Sequence, residues 1–170
     1  MSDQFYLARK MLQMHEGIRL EAYDDTTGHQ TIGYGWNLDA KPLPVGVGKM
    51  VDGRLTITTS EAEALLDMSM LDHWNELAGA FRWVNNLSEW RKAVLLDMAF
   101  NMGIPTLKTF KNTLSLISAG DYDGASRLML QSQWAKQVKR RADVLSEIMR
   151  IGTMTQSQKV KYGIGIWEHY

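Results

Sequence analysis

An α+β fold, with a small sheet near the N-terminus and helices over most of the remainder, is predicted by three observations. A β-rich, glycine-punctuated stretch at 20–37 follows a single short helical segment. Helical periodicity takes over near residue 58 and persists to about 151. Runs of strands and runs of helices are thus segregated rather than alternating, which argues α+β over α/β. The composition fits a folded domain: 170 residues, 45% hydrophobic and 22% charged. A chain of that length buries about two thirds of the surface its unfolded form exposes.

Taken in order, residues 4–15 place Phe5, Ala8, Leu12 and His15 at helical intervals, and Gly17 is suited to end the helix. The β formers Tyr23, Thr31, Ile32 and Tyr34 are separated by Thr27-Gly28, Gly33 and Gly35, the pattern of a hairpin or small sheet. Residues 38–56, with Pro42, Pro44, Gly46, Gly48 and Gly53, read as loops around a last short strand at 54–57. Thr58 with Glu61, or Ser60 with Glu63, forms a capping box for a long helix over 61–79. Ser88 caps an apolar helix at 89–102, stopped by Gly103 and Pro105. Further helices are predicted at about 107–119, 122–131 and 138–151, the first ending at Gly120 and the last at Gly152. Beyond them Val160, Tyr162, Ile164 and Ile166 alternate like a strand. The eleven methionines fall mostly in the helices and read as core filling. The expected organisation is one domain over 1–170, with a β-rich lobe at about 17–60. A helical lobe at about 61–154, with the helix at 4–15, and a tail at 155–170 complete it.

Several function classes lose support at once. There is no cysteine, so neither a disulfide framework nor thiolate chemistry is available. Nineteen basic residues balance nineteen acidic ones, so net charge points to no nucleic-acid or membrane partner. The balance hides an asymmetry: residues 1–100 hold 9 Lys+Arg against 14 Asp+Glu, and residues 101–170 hold 10 against 5. No segment is long and apolar enough for a membrane span, and the first ten residues do not read as an export signal. The histidines His15, His29, His73 and His169 lack ligand spacing; His15-Glu16 begins like H-E-x-x-H, but position 19 is arginine. No metal or cofactor is expected. Gly33-Tyr34-Gly35 lacks the third glycine of a dinucleotide loop, and no G-x-S-x-G elbow supports a serine nucleophile.

The informative stretch is His15 to Gly35, where Glu16, Glu21, Asp24 and Asp25 fall within ten residues. Glycosidic cleavage uses two carboxyl groups on opposite sides of one bond, one protonated and one ionised. A helix end shields a carboxyl in part and favours the protonated form, whereas a β-turn leaves one solvated and charged. Spacing alone leaves open which of the four form such a pair, or whether all four are solvated surface charges.

Written as a pattern, E-G-x-R-L-x-x-Y-x-D-T-x-G-x-x-T-I-G-x-G begins at Glu16 and resembles the active-site signature of phage-type lysozymes (endolysins), glycoside hydrolase family 24. The Phe100-Asn101-Met102-Gly103 segment, Phe110 with Asn112 to Leu114, Trp134 and Arg141-Ala142 match in order, so the resemblance runs from about residue 5 to 154. It implies a lysozyme-like two-lobe fold, a small N-terminal sheet lobe and a larger helical lobe joined by a long helix. It implies Glu16 as general acid, and Asp25 as second carboxylate, since Thr26 and Gly28 follow it at the family's offsets. Thr31 falls on the threonine that positions an attacking water in an inverting reaction, and Arg141 on an arginine that pairs with the catalytic glutamate. A cation beside a general acid favours its charged form, so such a site must set shielding against charge. Tyr34, Trp36, Phe100, Asn101 and Thr113 fall at cleft-lining positions, while Glu21 and Asp24 read as surface charges. Asn37 and Leu128 depart from a family member that has leucine at the first position and a cleft asparagine at about the second.

The implied activity is hydrolysis of the β-1,4 bond between N-acetylmuramic acid and N-acetylglucosamine in peptidoglycan, by a monomer without metal or cofactor. The implied setting is a host cytoplasm, with release to the periplasm and wall through a holin. A lytic transglycosylase, which needs only the glutamate, and a non-catalytic wall-binding virion component are the competing readings; Asp25 and Thr31 argue against the first.

Overall fold

Gly17, with φ +67°, is where the first helix stops: its N–H reaches the Gln13 carbonyl and the chain turns out into a strand. In the computed structural model, which describes residues 5–165, α1 spans Tyr6–Glu16 and is followed by β1 (Arg19–Asp24), β2 (Gln30–Gly33), β3 (Trp36–Asn37), β4 (Lys49–Val51) and β5 (Arg54–Thr56). The helices α2 (Thr59–Ala80), α3 (Glu89–Met102), α4 (Ile104–Leu107), α5 (Lys111–Ser118), α6 (Tyr122–Gln131), α7 (Gln133–Val138), α8 (Arg140–Ile151) and α9 (Gln156–Lys161) complete the fold. The α+β class is as predicted. The chain divides into two units, 12–72 and 1–11 with 73–170, so the divisions fall inside α1 and α2.

In the unit of residues 12–72 the strands form one antiparallel sheet in the order β3-β2-β1-β5-β4. Tyr23 faces Thr31 and Asp24 faces Gln30, while the β1–β2 register shifts between Arg19 and Tyr23. The hairpin loop is a tight turn: Asp25 N–H donates to His29 O at 2.9 Å, and Gly28 N–H to Asp25 O at 3.0 Å, with Gly28 at φ +84°. Asp first and a left-handed glycine fourth are the residues such a turn requires. Ile32, Ile57, Ala62, Leu65 and Leu66 are buried, and Ile57 packs where a side chain on Gly33 would sit. The predicted Thr58–Glu61 capping box is present, and Glu61 also accepts from Gly48 N–H.

In the other unit α8 packs on α3, α6 and α7, and α6 on α5. The run Ala93–Ala99 of α3 is buried throughout. Arg91 closes the C-terminus of α8 by donating to the carbonyls of Met149 and Arg150, and its guanidinium lies 3.5 Å over the Tyr122 ring. Gly152 leaves room for it, since a side-chain carbon there would meet Arg91 at 3.1 Å.

Four expectations are corrected. The 38–56 segment holds a further strand, β4, joined to β5 by Asp52-Gly53, both at positive φ, the geometry of a type I′ hairpin. The helix expected at 107–119 is α5, which begins only at Lys111; the short α4 precedes it, with Pro105 past the end of α3 and inside the first turn of α4. The helix at 138–151 is α8 alone from Arg140; α7 precedes it and Lys139, at φ 50°, makes the break. Residues 156–161 of the tail form a helix, α9, where the expected strand would begin: Thr155 and Gln158 make its capping box, and Tyr162 and Ile164 are buried after it without strand pairing. Ile166 and His169 lie outside the described residues.

Candidate active site

Glu16 is the last residue of α1 and Asp25 the first of the β1–β2 turn, both half-buried and both in the unit of residues 12–72. Thr31, 4% exposed, stands on β2 opposite Tyr23. The helix end holds Glu16 and the hairpin holds the other two, so three of the expected residues come from α1 and one hairpin.

Asp25 is anchored through one oxygen. Its Oδ1 accepts from Thr27 N–H at 2.8 Å, Thr27 Oγ1–H at 2.7 Å and His29 N–H at 2.9 Å, and His29 Nδ1 lies 3.9 Å away. These donors, first the Thr27 hydroxyl and then the His29 N–H, hold the carboxyl below its ordinary range, with the His29 charge helping. Its Oδ2 takes no hydrogen bond among the described residues. Thr31 donates its hydroxyl proton to His29 O at 3.0 Å, which leaves that oxygen able to accept one. A hydroxyl oxygen able to accept a hydrogen bond can help hold a water, and a charged carboxylate oxygen can take that water's proton.

The other acidic candidates are occupied. Glu21 pairs with Arg54 across the sheet at 3.0 Å, and Asp24 accepts from Gln30 Nε2. Both are exposed, as surface charges should be.

Of the cleft-lining expectations, Tyr34 and Trp36 are buried in the same unit. Burial, then the Glu63 charge, pushes the Tyr34 hydroxyl up, and Gln13 hydrogen-bonds it. Trp36 donates to Lys41 O at 2.9 Å under the Lys41 ammonium, which itself pairs with Asp72. Asn37, a departure from the family, accepts from Asp39 and Ala40 N–H and so builds the turn that covers Trp36. In the other unit Phe100 is half-buried against His73, with ring centroids 5.3 Å apart, and Asn101 is exposed. Trp134 Nε1–H donates to Asn101 Oδ1 at 2.8 Å, which fixes that amide and turns its NH2 away from the indole. Buried Thr113 lines a cavity of about 360 Å³ with Phe110, Asn112, Leu128 and Gln131. A cavity of about 470 Å³ between α6 and α8, bordered by Arg127, Asp143, Glu147 and Arg150, contains none of the expected residues.

Arg141 has a partner that sequence reasoning missed. Its Nε–H donates to Asp97 at 2.8 Å, with Asp97 fully buried and the Arg141 side chain 11% exposed. Tyr162 stands close enough for both charges to act on its hydroxyl, which burial pushes up. The signal was an aspartate inside the buried run of α3, since a charge there requires a partner. Removing either member leaves the other's charge poorly hydrated. Asp97→Ala and Arg141→Ala are each expected to cost about 3 kcal/mol. Exposed Arg140→Ala should cost less than about 0.5 kcal/mol, all three measured by chemical denaturation.

A carboxylate kept charged on a solvated turn, with a second carboxyl at a helix end, is a set for acid–base hydrolysis. The chain belongs to the phage lysozyme family, whose family model, described as Phage lysozyme, matches residues 13–150. It is a glycoside hydrolase of the lysozyme kind. It is 31% identical to Probable T4-type lysozyme 1 of Dictyostelium discoideum over 161 residues, covering 86% of this chain and 95% of that one. Probable T4-type lysozyme 2 of the same organism is 26% identical over 166 residues, covering 87% and 96%. The Pre-baseplate central spike protein Gp5 of Enterobacteria phage T4 is 29% identical over 160 residues, 85% of this chain and 28% of that protein.

Proposed function

We propose that this protein is an endolysin-type muramidase that hydrolyses the β-1,4 bond between N-acetylmuramic acid and N-acetylglucosamine, with inversion. The observation that carries the reading is Asp25, bonded through Oδ1 alone and kept charged, at the turn of a hairpin whose Thr31 oxygen can accept a hydrogen bond. In this reading Glu16 protonates the leaving oxygen, and Asp25 with Thr31 holds the water that attacks the anomeric carbon from the opposite face. Proton donation on one side and deprotonation on the other together cleave the bond without a covalent intermediate. Arg141, oriented by Asp97, supports the acid, and Tyr34, Trp36, Phe100, Asn101 and Thr113 line the sugar path. The setting is host lysis, by a monomer that waits in the cytoplasm of the host and reaches the wall when a holin opens the membrane. Among the described residues no helix is long and apolar enough to cross a membrane.

The likeness to a protein named as a baseplate spike favours a second reading, a wall-cutting component of a virion. Both predict hydrolytic products. Mass spectrometry of fragments from purified peptidoglycan is expected to show intact reducing muramic acid ends. Anhydro ends, lighter by one water, would instead identify a transglycosylase, and an undigested wall a binding module.

A further inference from the structure

We propose that Thr27 and His29 are positioning residues for Asp25, joined to it by a directional hydrogen-bond chain that holds the carboxylate charged and turned for catalysis. The inference rests on Asp25 being the second carboxylate of the reaction proposed above.

The direction of the chain follows from counting protons. Thr27 Oγ1 lies 2.7 Å from Asp25 Oδ1 and 2.7 Å from His29 Nδ1, yet it carries one hydrogen. Asp25, whose ionised form these donors favour, has none to give, so the hydroxyl proton goes to Oδ1. His29 must then donate from Nδ1 to Thr27, because the opposite arrangement would face two lone pairs at 2.7 Å. Nδ1 carries hydrogen in this tautomer and in the imidazolium alike, so protonation of the ring does not reverse the chain. The chain therefore runs from His29 through Thr27 to Asp25.

The hairpin itself does not need this chain. The N–H groups of Thr27 and His29 already anchor Oδ1, and the Asp25–His29 and Gly28–Asp25 backbone bonds close the turn. What the hydroxyl and ring add is a third donor to the same oxygen, which leaves Oδ2 as the oxygen available to water. The other charged groups of the hairpin and the loop after it do not supply that effect. Asp24 is tied to Gln30 Nε2 and Asp39 accepts Gln30 N–H, and both are acidic. His29 is the ring whose charge favours the ionised Asp25. The sign follows: donors to the carboxylate keep it charged to lower pH, so activity that needs the charged form persists until pH falls through the lowered value.

The test compares Thr27→Val, Thr27→Ser, His29→Leu and the Thr27→Val/His29→Leu double variant in the intact protein. Asp25 is titrated by carboxyl-carbon NMR, and kcat/KM on soluble glycan strands is followed against pH. Thr27→Val is expected to raise the Asp25 midpoint and the acid limb together by about half a pH unit or more. Its kcat should fall about tenfold, as the carboxylate loses orientation. Thr27→Ser should restore both. His29→Leu should move both the same way by less, and the double variant should fall clearly short of the sum of the two single shifts, since much of the ring's effect passes through the hydroxyl. Additive shifts, or a Thr27→Val midpoint equal to wild type where Asp25→Asn is inactive, would overturn the chain while leaving the role of Asp25 intact. A raised midpoint with an unmoved acid limb, in a protein that Asp25→Asn leaves active, would overturn the role given to Asp25 and this inference with it.

Discussion

Glu16→Gln is expected to abolish wall lysis and, at the same time, to leave the protein as stable or slightly more stable. The amide keeps the shape of the side chain but has no acidic proton for the leaving oxygen. General acid catalysis contributes about 10²- to 10⁴-fold, so the loss should be of that order or larger. The stability effect comes from position. Glu16 ends α1, where unsatisfied carbonyls give the helix its negative pole, and a negative side chain there is unfavourable. Removing the charge should stabilise by roughly 0.3–1 kcal/mol. Loss of function with gain of stability is the mark of a residue kept for chemistry. Clearing of purified walls and a thermal melt on the same sample check both halves. A Glu16→Gln protein that clears walls near the wild-type rate sinks the assignment.

Asp25→Asn should lose about 100-fold or more in rate, whereas Asp24→Asn should stay within about threefold. The two residues are neighbours of the same type, so their environments must explain the difference. An asparagine at 25 still offers Oδ1 to the N–H groups of Thr27 and His29, so the turn persists while the charge goes. Asp24 is the last residue of β1, exposed, and engaged with Gln30. Equal losses in the two variants, or the reverse order, would place the second carboxylate elsewhere.

Local rules carried much of this fold because caps and glycines act within four residues. The Ser88 cap accepts from Arg91 N–H, the Thr58–Glu61 box is formed, and Gly17 and Gly152 close helices at the expected places. The misses came from competing signals. Asp52-Gly53 is a strong hairpin pair, but it lies in a segment crowded with Pro42, Pro44, Gly46 and Gly48, where loop chemistry dominates the reading. In the tail the alternation of Val160, Tyr162 and Ile164 outweighed the Thr155–Gln158 box, although α9 is only six residues and its apolar neighbours are buried after it. α7 is equally short, too short for periodicity to register, and only its Ser132 cap announces it.

The site divides along the same line. Glu16, Asp25 and Thr31 stand out through the resemblance to the phage-type lysozyme signature, because spacing alone leaves Glu16, Glu21, Asp24 and Asp25 equally open. The Arg141–Asp97 pair spans 44 residues of sequence, and nothing in the basic run around Arg141 points to α3. The Thr27–His29 chain is local yet was invisible, since it depends on which way one hydroxyl proton turns.

The central claim is that Glu16 and Asp25 work as an acid–base pair on opposite faces of the sugar, with water attacking directly. The most direct test is the configuration of the reducing end at the moment of cleavage, read by proton NMR on soluble glycan strands before the anomers equilibrate. Direct attack on a β-linked sugar predicts the α anomer as the first product. A β anomer would require a covalent intermediate with Asp25 as nucleophile, and an anhydro end would mean that no water attacks; either would contradict the account.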